Sequence, residues 1–350
     1  MQKVKVLIVD DSPSIRSVLE QVLNSDPGIE VVGTAEDPLV AREEIKRLNP
    51  DVLTLDVEMP RMDGISFLRN LMRLRPMPVV MVSTLTEQGA PITLQALELG
   101  AVDYVAKPKV AGELALSGYI DEICSKVKVA ARANVRSIEL EPSAQKLTAL
   151  VVPEHVKSKV DHSRVIGIGA STGGTEALKE VLTRMPADCP PIIVSQHIPA
   201  GFSKSFAERV NNGSAIRVKE AEHGDRLSTG MALIAPGDRH LKVSRSGSGY
   251  YAVLDDGETV NRHKPSVEVM FDSLSLASKG HCVAVMLTGM GADGAEAMLR
   301  VKQIGGRTLA QNEATSVVWG MPGAAVKLGA VDKEVALPHM AQAILKACIK

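Results

Sequence analysis

Apolar residues along this chain gather into short, nearly continuous runs that end at a polar side chain, and each run is followed by apolar positions at helical spacing. Val4-Lys5-Val6-Leu7-Ile8-Val9 ends in Asp10-Asp11, and Pro13 then opens a segment in which Ile15, Val18, Leu19 and Val22 share a helical face. Val52-Leu53-Thr54-Leu55 ends in Asp56, Val79-Val80-Met81-Val82 in Ser83, and Asp103-Tyr104-Val105-Ala106 in Lys107-Pro108. Continuous apolar strands alternating with amphipathic helices predict a parallel sheet covered on both faces. Reactive groups of such sheets collect at the carboxyl ends of the strands, where each of these polar residues falls.

A helix is expected over 113–133, after which periodicity weakens through Ser163 in a stretch that mixes Pro142, Pro153, charges and small polar residues. The organisation read from the pattern is therefore a first domain at 1–130, a linker at 131–163 and a second domain at 164–350. In the second domain the pattern predicts strand 165–169, helix 174–184, strand 191–195 and helix 202–211. A stretch richer in turns and alternation, over about 216–261, suggests short antiparallel strands around Leu233-Ile234 and Tyr250-Val253. Helix 266–278, strand 282–287, helix 293–304, strand 307–310 and a helical end complete it. Both domains thus read as α/β, the second doubly wound and mainly parallel with a small antiparallel portion.

Three carboxylates, Asp10, Asp11 and Asp56, should converge at one edge of the first sheet, where their repulsion favours a hard divalent cation such as Mg²⁺ with oxygen ligands. One carboxylate beside a metal, the Lys107 cation and the Ser83 hydroxyl is suited to accept a phosphoryl group. Taken singly, a strand-end aspartate is as readily a helix cap. Five polar groups at the ends of four strands argue for a site.

In the second domain, Val165-Ile166-Gly167-Ile168-Gly169-Ala170 leads into Ser171-Thr172-Gly173-Gly174 and then a helical pattern. Gly169 to Gly173 fits G-x-S-x-G, in which small neighbours let a tight turn lift a serine hydroxyl clear of the sheet. A dinucleotide fingerprint beginning at Gly167-x-Gly169 would need a third glycine where Thr172 stands. A plain turn with a solvated serine is the other reading. A nucleophile needs a base, and His197, just past the apolar run 191–195, is the histidine at a strand's carboxyl edge. His223, His240 and His263 fall in the turn-rich stretch, within possible reach of the site. An orienting carboxylate is offered by Asp293 in Thr288-Gly289-Met290-Gly291-Ala292-Asp293-Gly294, although a helix cap is its simpler role. The glycines there free backbone N–H groups to face an oxyanion, with Met290 N–H the candidate donor. The chain order serine, histidine, aspartate separates this arrangement from the usual α/β-hydrolase order.

The 350 residues are 45% hydrophobic and 23% charged with a net charge of −1, which excludes extended disorder and gives no electrostatic footprint for nucleic acid. Four separated cysteines without a C-x-x-C pair read as reduced thiols, and no segment approaches membrane-spanning length. A monomeric cytoplasmic protein without membrane insertion is the expectation.

The Asp10-Asp11 pair, Asp56 in Leu-Asp-Val-Glu-Met-Pro-Arg-Met-Asp-Gly, Ser83 and Lys107-Pro108 resemble the receiver domain of two-component response regulators. The resemblance implies a flavodoxin-like, five-stranded fold and phosphorylation of Asp56 by a chemotaxis sensor histidine kinase. It also implies Mg²⁺ held by Asp10, Asp11, Asp56 and the backbone carbonyl of Glu58, with Ser83, Tyr104 and Lys107 as switch residues. The second domain, through Gly169–Gly174, Gln196-His197, Ala235–His240 and Thr288–Gly294, resembles the catalytic domain of chemotaxis-specific protein-glutamate methylesterases. That implies Ser171 as nucleophile, His197 as base, Asp293 as its partner, and Thr172 as an aid to the imidazole. The implied reactions are hydrolysis of glutamyl γ-methyl esters on methyl-accepting chemoreceptors, releasing methanol, and deamidation of receptor glutamines, with no cofactor for the esterase. Two other outputs are open to the second half. One is DNA binding, opposed by its near-neutral α/β character; the other is a non-catalytic interaction module with Ser171 as a turn residue.

Overall fold

The computed structural model describes residues 2–59, 62–84, 89–108, 113–135, 149–150, 159–247 and 249–350. The chain divides into two compact units, Met1–Ala144 and Gln145–Lys350. Most of the linker expected at 131–163 lies outside the described residues. Residues 159–161 pair with the C-terminal end of the second unit, through Lys350 N to Lys159 O and Asp161 N to Cys348 O.

In the first unit, β1 (Val4–Val9), β2 (Ile29–Ala35), β3 (Val52–Asp56), β4 (Val79–Ser83) and β5 (Asp103–Ala106) form a sheet in the order β2-β1-β3-β4-β5. All its pairings are parallel. Helices α1 (Pro13–Asn24), α2 (Pro38–Leu48), α3 (Gly64–Leu74), α4 (Ala90–Glu98) and α5 (Glu113–Ala130) provide the connections and cover. Caps fall to other residues than the strand-end aspartates: Ser12, Asp37 and Asp63 accept from the first turns of α1, α2 and α3. Asp10 and Asp56 are thereby left for the sheet edge. The strand β2 is the one the apolar pattern does not announce, since it is an edge strand carrying Glu30, Gly33 and Thr34.

The second unit holds a seven-stranded sheet in the order β14-β13-β12-β6-β7-β9-β8. Its strands are β6 (Val165–Ala170), β7 (Ile192–Gln196), β8 (Arg217–Glu220), β9 (Met231–Ile234), β12 (Cys282–Met286), β13 (Arg307–Gln311) and β14 (Lys333–Val335). Strands β10 (His240–Ser246) and β11 (Gly249–Asp255) form a separate antiparallel pair. Helices α6 (Gly174–Thr183), α7 (Phe202–Gly213), α8 (Val267–Ser278), α9 (Ala295–Gln303), α10 (Met321–Lys327) and α11 (Leu337–Ala347) pack on the sheet. One expectation is corrected. Leu233-Ile234 belongs to β9, which runs parallel to both β7 and β8, because residues 221–230 carry the chain across rather than folding it back as a hairpin.

The glycines of β6 explain how the site is closed. A Cβ at Gly167 would stand 2.7 Å from Leu274 Cδ2, and one at Gly169 would stand 2.3 Å from Val267 Cγ1. Glycine at these positions lets α8 lie directly on the strand, its face of Val267, Met270, Phe271 and Leu274 wholly buried. The pair that starts a dinucleotide fingerprint thus serves helix packing. Among the described residues no helix is long and apolar enough to cross a membrane. All four cysteines are free and buried.

Candidate active site

Strands β6, β7 and β12 are neighbours, with Ala170 registered on Gln196 and Met286 on Gly169. Their carboxyl ends therefore deliver Ser171, His197 and the loop carrying Asp293 to one edge. Ser171 leaves β6 in a tight turn, its carbonyl accepting from Gly174 N at 2.7 Å while Gly173 takes φ +73°. Its own N–H donates to Thr288 O at 3.0 Å, tying it to the end of β12.

The His197 Nδ1 lies 3.1 Å from Ser171 Oγ, and its Nε2 lies 2.9 Å from Asp293 Oδ2. The ring is turned end for end relative to the usual serine-protease triad, in which Nε2 faces the serine. With Asp293 ionised, Nε2 carries the proton and Nδ1 presents its lone pair to the hydroxyl. The Asp293 side chain is 2% exposed and that of His197 8%, so the pair works away from bulk water.

Asp293 is a helix cap, but of a helix other than its own. The N-cap of α9 is Gly294, whereas the Asp293 carboxylate turns to the start of α8. There Oδ2 accepts from Val267 N at 2.7 Å, and Oδ1 accepts from Ser266 Oγ at 2.8 Å, Asn261 Nδ2 at 2.8 Å and Glu268 N at 3.4 Å. Burial alone would raise this carboxyl. The hydrogen bonds from His197, Asn261 and Val267, joined by the charge of His197 when that ring is protonated, outweigh that and hold it at about 2. His240 supports the same corner from behind: its Nδ1 accepts from Ser266 N and its Nε2 donates to Glu258 O.

Sequence reasoning missed Asn261, Ser266 and the role of Gln196. The Gln196 Nε2 donates to the carbonyls of both Ser171 and His197, at 2.9 and 3.1 Å, so one amide joins the backbones of these two residues. Of the three histidines in the turn-rich stretch, His263 reaches the site, its ring stacked on His197 with centroids 3.6 Å apart and planes 12° from parallel. His223 instead accepts from Leu254 N. Thr172 is buried beside Ser171, and its carbonyl accepts from Thr288 Oγ1 at 3.0 Å. The loop of Met290 lies against the serine, since a Cβ at Gly289 would meet Ser171 Cβ at 2.8 Å.

The first unit has its own polar edge. Carboxylate oxygens of Asp10, Asp11 and Asp56 lie within 4.8 Å of one another. Lys107 Nζ stands 2.8 Å from Asp56 Oδ2 and 3.6 Å from Asp10 Oδ2. Asp10 and Asp56 are almost wholly buried, and burial pushes Asp56 up to about 6 despite the Lys107 hydrogen bond. For Lys107 burial acts the other way, but the Asp56 hydrogen bond and the neighbouring carboxylates keep it above its ordinary value. The Asp10 Oδ2 is buried and accepts no hydrogen bond. Ser83 is buried at the end of the adjacent strand, its carbonyl accepting from Lys107 N. Tyr104 is buried, with the Lys126 ammonium 5.1 Å from its ring centroid. A cleft of about 740 Å³ opens beside the cluster, lined by Asp11, Glu58, Met59, Asp63, Arg69 and Ile92 among others.

Residues 166–344 match the family model of the CheB methylesterase, and residues 6–117 match that of the response regulator receiver domain. The chain belongs to the CheB methylesterase family. Two relatives span essentially its whole length. A protein-glutamate methylesterase/protein-glutamine glutaminase of Saccharophagus degradans is 55% identical over all 350 residues of both chains. One of Xanthomonas campestris is 54% identical, covering 98% of this chain and 96% of its own. The crystal structure of the Thermotoga maritima CheB methylesterase catalytic domain aligns with 52% of this chain and 97% of its own, at TM-score 0.51 and 35% identity. The methylesterase match thus spans the strands that carry Ser171, His197 and Asp293, and the receiver match spans those that carry Asp10, Asp56, Ser83 and Lys107.

Proposed function

We propose that this chain is a phosphorylation-activated serine hydrolase. It removes methyl groups from glutamyl γ-methyl esters on chemoreceptors, and it deamidates receptor glutamines to glutamate. The observation that carries the reading is the continuous hydrogen-bonded line from Ser171 Oγ through His197 to Asp293.

In the reaction, Ser171 Oγ attacks the ester carbonyl carbon while His197 Nδ1 takes its proton. The imidazolium is stabilised by Asp293, which is already ionised and fixed by the α8 terminus. Met290 N–H donates to the oxyanion, and Thr172 supports the imidazole. The Nδ1 proton then passes to the departing methoxide as the C–O bond breaks, releasing methanol and leaving a Ser171 ester. Water attacks that ester through the same base, and the products are a glutamate side chain and the free serine. With a glutamine substrate, ammonia leaves in place of methanol.

The first unit is the receiver. Asp56 accepts the phosphoryl group from a sensor histidine kinase, and Lys107, Ser83 and Tyr104 form the switch. The acid cluster fits a bound Mg²⁺: three carboxylates lie within reach of one ion, and the buried Asp10 Oδ2 has no donor of its own. Asp10, Asp11, Asp56 and the Glu58 carbonyl would hold it, and when bound it would offset phosphate charge. The functional division is receiver at 1–130, linker at 131–163 and methylesterase at 164–350. Phosphorylation shifts the enzyme toward its active arrangement.

The test uses methylated chemoreceptor membranes, the full chain and a small-molecule phosphodonor. Methanol should appear mole for mole with lost ester, faster with the phosphodonor than without. Removing residues 1–144 should also raise the basal rate. A folded protein that releases no methanol under either condition would overturn the reading.

A further inference from the structure

We infer that the two-residue hairpin Val260–His263 is a positioning clamp for the triad, with His263 fixing the plane of the His197 ring and Asn261 holding Asp293. The inference rests on the hydrolase reading above, and concerns how its base is kept in place.

The hairpin is closed by both of its backbone hydrogen bonds, Val260 N to His263 O at 3.1 Å and His263 N to Val260 O at 2.9 Å. Asn261 and Arg262 at its tip have φ +52° and +67°. Left-handed backbone at both central positions is the requirement of a tight two-residue turn, which glycine or asparagine ordinarily fills. Here an arginine occupies the second position, a conformation that persists only where the surroundings hold it. The turn gains two contacts from being this tight. Asn261 is directed to Asp293 Oδ1 at 2.8 Å, and two residues later the His263 ring lies flat on His197 at 3.6 Å. Acid and base of the triad are thus gripped by one short turn that contributes neither.

The stack supplies a restraint that the triad's own hydrogen bonds lack. Those to Ser171 and Asp293 leave His197 at Nδ1 and Nε2, in the plane of the ring. Together they fix the ring within its own plane but leave it able to rock out of that plane, which carries the Nδ1 lone pair off Oγ. A second flat ring 12° from parallel closes that rocking on one face. Its π face also lies where the imidazolium charge forms during attack. Asn261 is the weaker half of the clamp, because Oδ1 keeps Ser266 Oγ and Glu268 N without it.

What His263 contributes on this account is a flat ring, so a phenylalanine should serve and an isosteric aliphatic should not. His263→Phe and His263→Leu are compared with the unaltered full chain and Ser171→Ala, each checked for an intact thermal transition. Two readouts are used: kcat and KM for a small activated ester, and the rate of covalent labelling by a fluorophosphonate. His263→Leu should lower kcat and labelling rate about 30-fold with KM within about twofold, as a small misplacement of a base does. His263→Phe should stay within about threefold of the unaltered protein. Asn261→Ala should fall between them. Equal loss in the leucine and phenylalanine variants, or no loss in either, overturns the clamp. Labelling that persists in Ser171→Ala overturns the hydrolase reading instead, so the two failures are told apart.

Discussion

Replacing Asp293 with asparagine keeps the shape of the side chain and removes its charge. The carboxyl stands at about 2 against an ordinary 3.8. Its surroundings therefore favour the charged form, after the cost of burial, by something on the order of 2 kcal/mol. An amide cannot satisfy those surroundings in either orientation. Set toward the Oδ2 position, its NH₂ meets His197 Nε2–H and Val267 N–H; set toward Oδ1, it meets Asn261 Nδ2 and Ser266 Oγ. The least costly escape is for His197 to move its proton to Nδ1, which leaves Ser171 without a base. The effect on kcat should be about 10³- to 10⁴-fold, or about 4–5.5 kcal/mol, with KM changed by less than about threefold. Folding should weaken as well, by about 2–4 kcal/mol at pH 7, the amide's donor clash adding to the lost charge preference. Because the folded value lies below the unfolded one, this contribution is present above pH 3.8 and is lost as pH falls through about 2. The stability gap between variant and wild type should narrow over that window. Methanol release from methylated receptors gives the rate, and denaturant titration at several pH values gives the stability. A variant within tenfold of wild type in kcat would refute the claim that this carboxylate sets the tautomer of His197.

Three further outcomes follow from the same contacts. A Cβ added by Gly174→Ala would stand 2.1 Å from Gln196 Oε1, displacing the amide that joins Ser171 and His197; kcat should fall about tenfold in a protein that still folds, measured as methanol release. In Mg²⁺-free buffer the buried Asp56, at about 6, costs the folded receiver stability as its charge forms. Its folded value lies above the unfolded one, so this penalty is absent below about pH 3.8, grows through about 6 and is complete at pH 7.5. Asp56→Asn should therefore raise the receiver's thermal midpoint at pH 7.5 and do so less at pH 5, by scanning calorimetry. Mg²⁺ should raise the wild-type midpoint at pH 7.5, and Asp10→Ala should abolish that response.

The site was legible in the sequence to the extent that it stands at strand ends. Apolar runs stopping at Asp10, Asp56, Ser83, Lys107 and Ser171 report the parallel sheets directly, and strand adjacency then brings His197 and Asp293 to Ser171. Most of what supports the triad was not legible, because, Gln196 of β7 and His240 of β10 apart, it comes from loops whose course depends on packing. Ser266 is brought to Asp293 by the close seat of α8 on Gly167 and Gly169, and no local pattern reports that seat. His263 and Asn261 sit on a tight turn with no glycine to announce it. The cap reading of Asp293 was half legible: a strand-end aspartate does cap a helix, but the tertiary fold supplies a different helix. The short strand β9 read as antiparallel because turn-forming residues surround it, and only the pairing partners fix its direction.

The most direct test of the account is the methanol released from methyl-esterified chemoreceptor membranes by Ser171→Ala, measured alongside phosphoryl incorporation at Asp56 in the same preparation. Methanol release at the background rate, with Asp56 phosphorylated as in wild type, is the predicted result. Methanol release at a substantial fraction of the wild-type rate from that variant would contradict it.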